Sequence, residues 1–143
     1  MEEIRDIKVI LKTSDITRVL AESVYNPTQE RLMSRVDEYT NNTNVAAFGY
    51  IVDGSICGVI VLDTAQKEKI IILDIAVSKS SQHLGIGSKL INYVLVCLKP
   101  SIILAETDDD AVGFYRKYGF EINNLGEKYP NIKRYECKYV NNM

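Results

Sequence analysis

The sequence predicts a single α+β domain: a mixed, mostly antiparallel sheet with helices on both faces. Three observations carry that prediction. Asp53-Gly54 lies between two apolar runs, a strong hairpin signal that calls for antiparallel strands early in the chain. Later segments alternate strand, helix and strand, which calls for crossovers. Between the two regimes, Lys69–Val77 (KIIILDIAV) is too continuously apolar for a half-exposed strand and reads as a central one, covered on both faces.

The elements follow in order. Residues 7–11 form a short apolar run expected to be the first strand, and Thr13-Ser14-Asp15 offers cap residues to a helix running to about Tyr25. Asn26-Pro27 restarts the pattern, since Pro suits a first helical position. Leu32, Val36 and Tyr39 then keep helical spacing up to the break at Asn41-Asn42-Thr43-Asn44. Residues 45–52 and 56–62 flank the hairpin turn, where Gly54 can take positive φ. After the central strand, polar residues 78–83 and a Gly-Ile-Gly lead into Leu84, Leu90, Ile91, Val94, Leu95 and Leu98 at helical spacing, stopped by Pro100. Residues 102–105 read as the next strand. The acids at 108–110 suit the start of a helix that should run to Tyr118, with Gly119 as its stop. Residues 120–125 and 132–140 are two closing strands around a turn at 126–130. The order is β-α-α-β-β-β-α-β-α-β-β, one domain over residues 1–143, without linker or repeat.

Composition narrows the function classes. The 143 residues carry 17 Lys+Arg and 19 Asp+Glu, a net charge of −2, which lacks the basic excess of a duplex-binding domain, so no nucleic-acid partner is expected. No apolar stretch approaches the roughly 20 residues of a membrane span, and the acidic N-terminus, Met1-Glu2-Glu3-Ile4-Arg5-Asp6, is unlike a signal peptide. Cys57, Cys97 and Cys137 are isolated thiols without metal-ligand spacing, so no metal site is expected and a cytoplasmic, reducing location is. Cys137 reads as a core residue, since the only histidine, His83, is remote in sequence.

Residues 77–89 carry the first chemical signal. A buried strand, a glycine-containing turn and a helix start would gather backbone N–H groups around one point, where the helix dipole also favours an anion. Two phosphate-binding motifs fail here. Ser88 and Lys89 follow Gly87 in the wrong order for a Walker loop, and Leu90 stands where a dinucleotide fingerprint needs its third glycine. What fits is Gln82-x-x-Gly85-x-Gly87, which resembles the Q/R-x-x-G-x-G/A motif of the GNAT superfamily of acyl-CoA-dependent N-acyltransferases. Without the resemblance it is a tight turn before an amphipathic helix. Residues 108–120, DDDAVGFYRKYGF, are similar to the family's N-x-x-A-x-x-F-Y-x-K-x-G-F stretch, a more specific match in Ala111, Phe114, Tyr115, Gly119 and Phe120. Read alone, Ala111, Phe114 and Tyr118 are the core face of a short helix.

The resemblance spans roughly residues 45–125. It implies acetyl-CoA between two parallel strands, residues 70–77 and 102–105, that splay apart at a bulge. Ile75, Ala76 and Val77 would bind the thioester and pantetheine through backbone groups. Gln82, His83, Leu84, Gly85, Ile86, Gly87 and Ser88 would cradle the pyrophosphate, and Asp108, Phe114 and Tyr115 would complete the coenzyme site. His83 and Leu84 replace the glycine or basic residues common there, and Asp108 replaces an asparagine. Tyr115 falls at the general-acid position, where a phenol protonates the leaving thiolate. The positions of two familiar glutamate bases hold Ile71 and Ile103, which leaves Glu106, Asp74 or water to deprotonate the amine. Asp74 among apolar neighbours needs a partner or a raised pKa. Its alternative role is to hydrogen-bond a loop, and that of Glu106 is to cap the next helix. The family's acceptor region adds Tyr129 and Arg134.

The implied partner is a small-molecule or peptide amine, and the implied activity is N-acetyl transfer in a ternary complex. A non-catalytic acyl-CoA-binding module on the same fold is the alternative. A homodimer is a family habit rather than a reading of these residues. Charge along the chain agrees with two unlike substrates: residues 78–89 carry +2, residues 106–110 carry −4 and residues 126–138 carry +2.

Overall fold

The computed structural model describes residues 1–23 and 28–142. Its strands are β1 (Glu2–Asp6), β2 (Val45–Val52), β3 (Ser55–Gln66), β4 (Lys69–Val77), β5 (Ile102–Thr107), β6 (Glu121–Tyr129) and β7 (Ile132–Val140). The helices are α1 (Ser14–Leu20), α2 (Gln29–Asn41), α3 (Ile86–Tyr93) and α4 (Val112–Tyr118). All seven strands form one sheet in the order β1-β2-β3-β4-β5-β7-β6, and β4–β5 is its parallel pair. The expected order of elements is therefore the observed one.

Two cores lie on opposite faces of the sheet. One gathers Ile60, Leu62, Ile70 and Ile72 with Leu90, Ile91 and Val94 of the α3 region and Tyr115 of α4. The other gathers Val59, Val61 and Ala76 with Ile16, Val19 and Leu20 of α1 and Leu32, Val36 and Tyr39 of α2. Strand β3 serves both: over residues 59–62 the even residues face one core and the odd residues the other, as the two-residue period of a strand requires.

Several boundaries differ from expectation. The first strand is residues 2–6, paired with β2 from Glu2↔Val52 to Asp6↔Phe48, and the apolar run at 7–11 is a turn. Ile7 and Leu11, four apart, are buried by that turn while Val9 is 94% exposed, so the run has a helical rather than a strand period. An edge strand needs only one partner and tolerates charged side chains, which hid β1. The tail of the expected first helix at Tyr25, and Asn26-Pro27, lie outside the described residues; α2 begins at Gln29, its N–H of Arg31 capped by the Thr28 hydroxyl at 3.1 Å. Leu84 is not on a helical face: it is 66% exposed and α3 starts two residues later. Strand β6 continues to Tyr129 past an irregularity at Gly126, and the hairpin turns at Pro130-Asn131 instead of 126–130.

Candidate active site

Strands β4 and β5 pair from Lys69↔Ile102 to Ile72↔Ala105 and then part. The cause lies on the other side of β4. Against β3, Leu62 faces Ile72 but Val61 faces Asp74, so Leu73 is an extra residue and β4 bulges there. Beyond the bulge, the N–H of Ser78 donates to the Cys57 carbonyl at 2.9 Å. Strand alternation sends the N–H of Ala76 the same way, and turns those of Ile75 and Val77 to the side that β5 has vacated. The parting thus exposes a short edge of backbone donors in the middle of the sheet.

A cleft of about 1500 Å³ opens at this point. Its floor is Ile72, Leu73, Asp74 and Ile75; one wall comes from Glu22, Ser23 and the Thr28–Glu38 side of α2; the other comes from Glu106, Thr107, Asp108, Asp110, Ala111, Tyr115 and Arg134. The structure therefore brings together Asp74, Ile75, Glu106, Asp108, Tyr115 and Arg134 of the residues expected from sequence. The side chain of Tyr129 lies outside the described residues.

Tyr115 is 4% exposed, with its ring edge-on to Phe114 at 5.2 Å and to Phe120 at 5.1 Å between centroids. Burial pushes its phenol pKa well above the usual value, so the group is a neutral proton donor throughout the physiological range. The aromatic packing fixes the ring at the cleft wall.

Glu106 accepts from Lys128 Nζ at 2.7 Å and from Arg134 Nη2 at 3.4 Å, both from the β6–β7 hairpin. The Lys128 hydrogen bond, aided by the charges of both cations, holds its pKa below the usual carboxylate range. It is a fixed negative charge and a weak base. Asp108 Oδ1 accepts the backbone N–H groups of Asp110 and Ala111 at 3.0 and 3.1 Å, ordering the turn into α4.

Asp74 is 6% exposed and is surrounded by donors. Ser23 Oγ lies 2.9 Å and Arg35 Nη1 3.0 Å from its Oδ1, and the Tyr39 hydroxyl donates to Oδ2. The sequence pointed to Asp74 but not to these partners. A signal existed: Arg35 and Tyr39 are polar groups at helical spacing beside the apolar Leu32 and Val36, so they too face the sheet.

The turn from β4 to α3 follows the freed edge of β4, and its residues do not line the cleft. His83 and Gly85 take φ of 67° and 78°, and Gly85 has open space around the position of a β-carbon. Helix α3 carries no side-chain cap and no acid in its first turn, which leaves its leading N–H groups for an outside acceptor. The Gln82 amide donates to the Val77 carbonyl at 3.2 Å and ties the turn to the strand end. Gln82, His83 and Leu84 are exposed and Ser88 is half-buried. Ile86 is buried in the core, and Gly87 meets the ring of Phe114.

Residues 43–122, more than half of the chain, match the family model of the acetyltransferase (GNAT) domain. The chain belongs to the GNAT family. Solved structures agree on the fold. A GNAT-family protein from Desulfovibrio desulfuricans aligns at a TM-score of 0.81 and 20% identity, covering 98% of this chain and 99% of that one. The ribosomal-protein-S18-alanine N-acetyltransferase of Escherichia coli aligns at 0.75 and 14%, covering 100% and 96%. A GNAT acetyltransferase from Elizabethkingia anophelis, solved with acetyl-CoA bound, aligns at 0.71 and 21%, covering 97% of each. The family's chemistry is acyl transfer. Among the described residues there is no group of side chains suited to a metal ion, and no helix long and apolar enough to cross a membrane.

Proposed function

We propose that this protein transfers an acetyl group from acetyl-CoA to a primary amine of a small molecule or peptide, by direct attack in a ternary complex. One observation carries the reading: Ile75, on the freed donor edge of β4, and the buried phenol Tyr115 face the same cleft. An acyl donor laid along that edge has its thioester oxygen on the Ile75 N–H and its sulfur toward a proton donor.

The residues fit such a ligand. Backbone N–H groups at Gly85 to Ser88 are free of side-chain caps for a pyrophosphate, and the N–H groups of Ile75 and Val77 suit carbonyl oxygens. Those same donors stabilise negative charge as it develops on the thioester oxygen during attack. Tyr115, held neutral by burial, gives its proton to the departing thiolate.

On the acceptor side the cleft is lined by the carboxylates Glu22, Glu30, Glu38, Asp74, Glu106, Asp108 and Asp110 against the guanidiniums Arg31, Arg35 and Arg134. The excess of negative charge draws a cationic amine. Glu106 orients the ammonium, and because Lys128 and Arg134 depress its basicity the proton leaves through water in the open cleft. The three free thiols accord with a cytoplasmic setting.

Replacing Tyr115 by Phe keeps the ring packing and removes the proton. Turnover should fall by about 100-fold or more while acetyl-CoA affinity stays within about threefold. Equal turnover of the two forms takes Tyr115 out of the chemistry. A non-catalytic acyl-CoA-binding module has one point in its favour, that Asp74 and Glu106 are both ion-paired. A broad amine panel with thiol detection decides: release of coenzyme A with even one amine excludes it.

A further inference from the structure

The bulge at Leu73 does more than open the cleft. Before it, Ile70 and Ile72 point into the core formed with α3 and α4; after it, Ala76 points into the opposite core formed with α1 and α2, while Ile75 and Val77 pack on the first. One extra residue has inverted the alternation, as a period of two requires.

The backbone inverts with it. In the β3 register beyond the bulge, Asp74, Ala76 and Ser78 stand opposite Val61, Val59 and Cys57, and send their N–H groups to β3. Were Leu73 drawn back into register, Val61 would face Leu73 and Val59 would face Ile75. The N–H groups of Ile75 and Val77 would then turn to β3, and the donor edge in the cleft would be lost. The slip would also swing Asp74 from its polar partners into the apolar core beside Ile72 and Leu90. A carboxylate without partners there is strongly disfavoured.

We propose that Asp74 is a positioning residue: its buried carboxylate, held by Ser23, Arg35 and Tyr39, locks the bulge at Leu73 and keeps the N–H groups of Ile75 and Val77 turned into the cleft. The three donors come from the chain after α1 and from α2, so the same carboxylate anchors the acceptor wall to the strand that carries the acyl donor. Buried polar groups that select one register among several are a known use of such interactions. Asp74 is on this view not the base, since both of its oxygens are already occupied.

The catalytic part rests on the proposed acetyl transfer; the structural part does not. The test is amide hydrogen exchange by NMR on the wild type and on Asp74→Leu, Asp74→Asn and Tyr39→Phe, with kinetics alongside. In the wild type the Ala76 amide should be protected and the Ile75 amide open. Asp74→Leu, which suits the apolar core, should reverse or level that contrast. Asp74→Asn should lower kcat by about 100-fold, as a small misplacement of reacting groups does, with the rising limb of the pH–rate profile unmoved. Tyr39→Phe leaves the carboxylate in place and should show the same changes more weakly, which keeps the test valid if the Asp74 variants fail to fold. Unchanged protection and kcat in the folded variants would overturn the lock. A displaced rising limb in Asp74→Asn would make Asp74 the proton acceptor instead. If the wild type acetylates no amine, the functional reading fails while the exchange contrast still decides the lock.

Discussion

Gly87 and Phe114 leave no room for a β-carbon between them: one added at Gly87 would lie 2.9 Å from the Phe114 ring. The second glycine of the turn motif thus lets the Phe114 ring of α4 pack directly on the start of α3, so a larger residue there must displace that ring. Phe114 in turn contacts Tyr115 edge-on, so a push on one ring reaches the other.

Gly87→Ala should therefore destabilise the protein by about 1 kcal/mol, since overpacking of typically 1–3 kcal/mol exceeds the gain in helix propensity. Adding Phe114→Leu to the same chain should recover much of that loss. Urea unfolding of the two single variants and the double variant measures the coupling, and strictly additive effects would show that the rings simply move aside.

The Lys128–Glu106 pair gives a pH signature. Glu106 has its folded pKa below the ordinary 4.5, chiefly through the Lys128 hydrogen bond. A depressed carboxyl pKa contributes stability above the unfolded value, and that contribution is lost as pH falls through the folded value. Lys128→Met should narrow the stability difference between neutral pH and pH about 3, modestly because the pair is partly exposed to solvent. Unfolding midpoints measured from pH 7 down to 3 test this. A difference between wild type and variant that stays constant over that range would show that charge is not what the pair contributes.

His83 occupies a left-handed conformation, φ 67°, which costs a side-chain-bearing residue energy that glycine escapes. His83→Gly should raise the melting temperature, with a gain of up to about 1 kcal/mol after the greater unfolded-state entropy of glycine is counted. Thermal unfolding by circular dichroism checks it. A lower melting temperature would mean that the imidazole supports the turn through contacts of its own.

The two motif segments were legible because their requirements are local. A turn that must take positive φ at Gly85, a helix start without a side-chain cap and a helix whose aromatic residues share one face are written in consecutive residues. So was the central place of β4 between β3 and β5, although its cover is uneven: Ile71 is half-buried and Leu73 exposed. The charged first strand was not, because an edge strand is specified by its partner: Glu2 to Asp6 are strand only because β2 offers a ladder. Likewise the place of Lys128 beside Glu106 depends on β6 extending past Gly126, which β7 decides by pairing with it.

Sequence alone was enough to set the order of elements, which follows from spacing along the chain, and the family resemblance, which singled out Tyr115 and Glu106 as residues to watch. Tertiary structure alone decided what Asp74 is. Its partners Ser23, Arg35 and Tyr39 are 51, 39 and 35 residues away. Only a one-residue bulge, set by the pairing of β4 with β3, turns its carboxylate to meet them. Periodicity reports which way a side chain points in a regular strand, and a bulge reverses that direction without changing a single residue of the pattern.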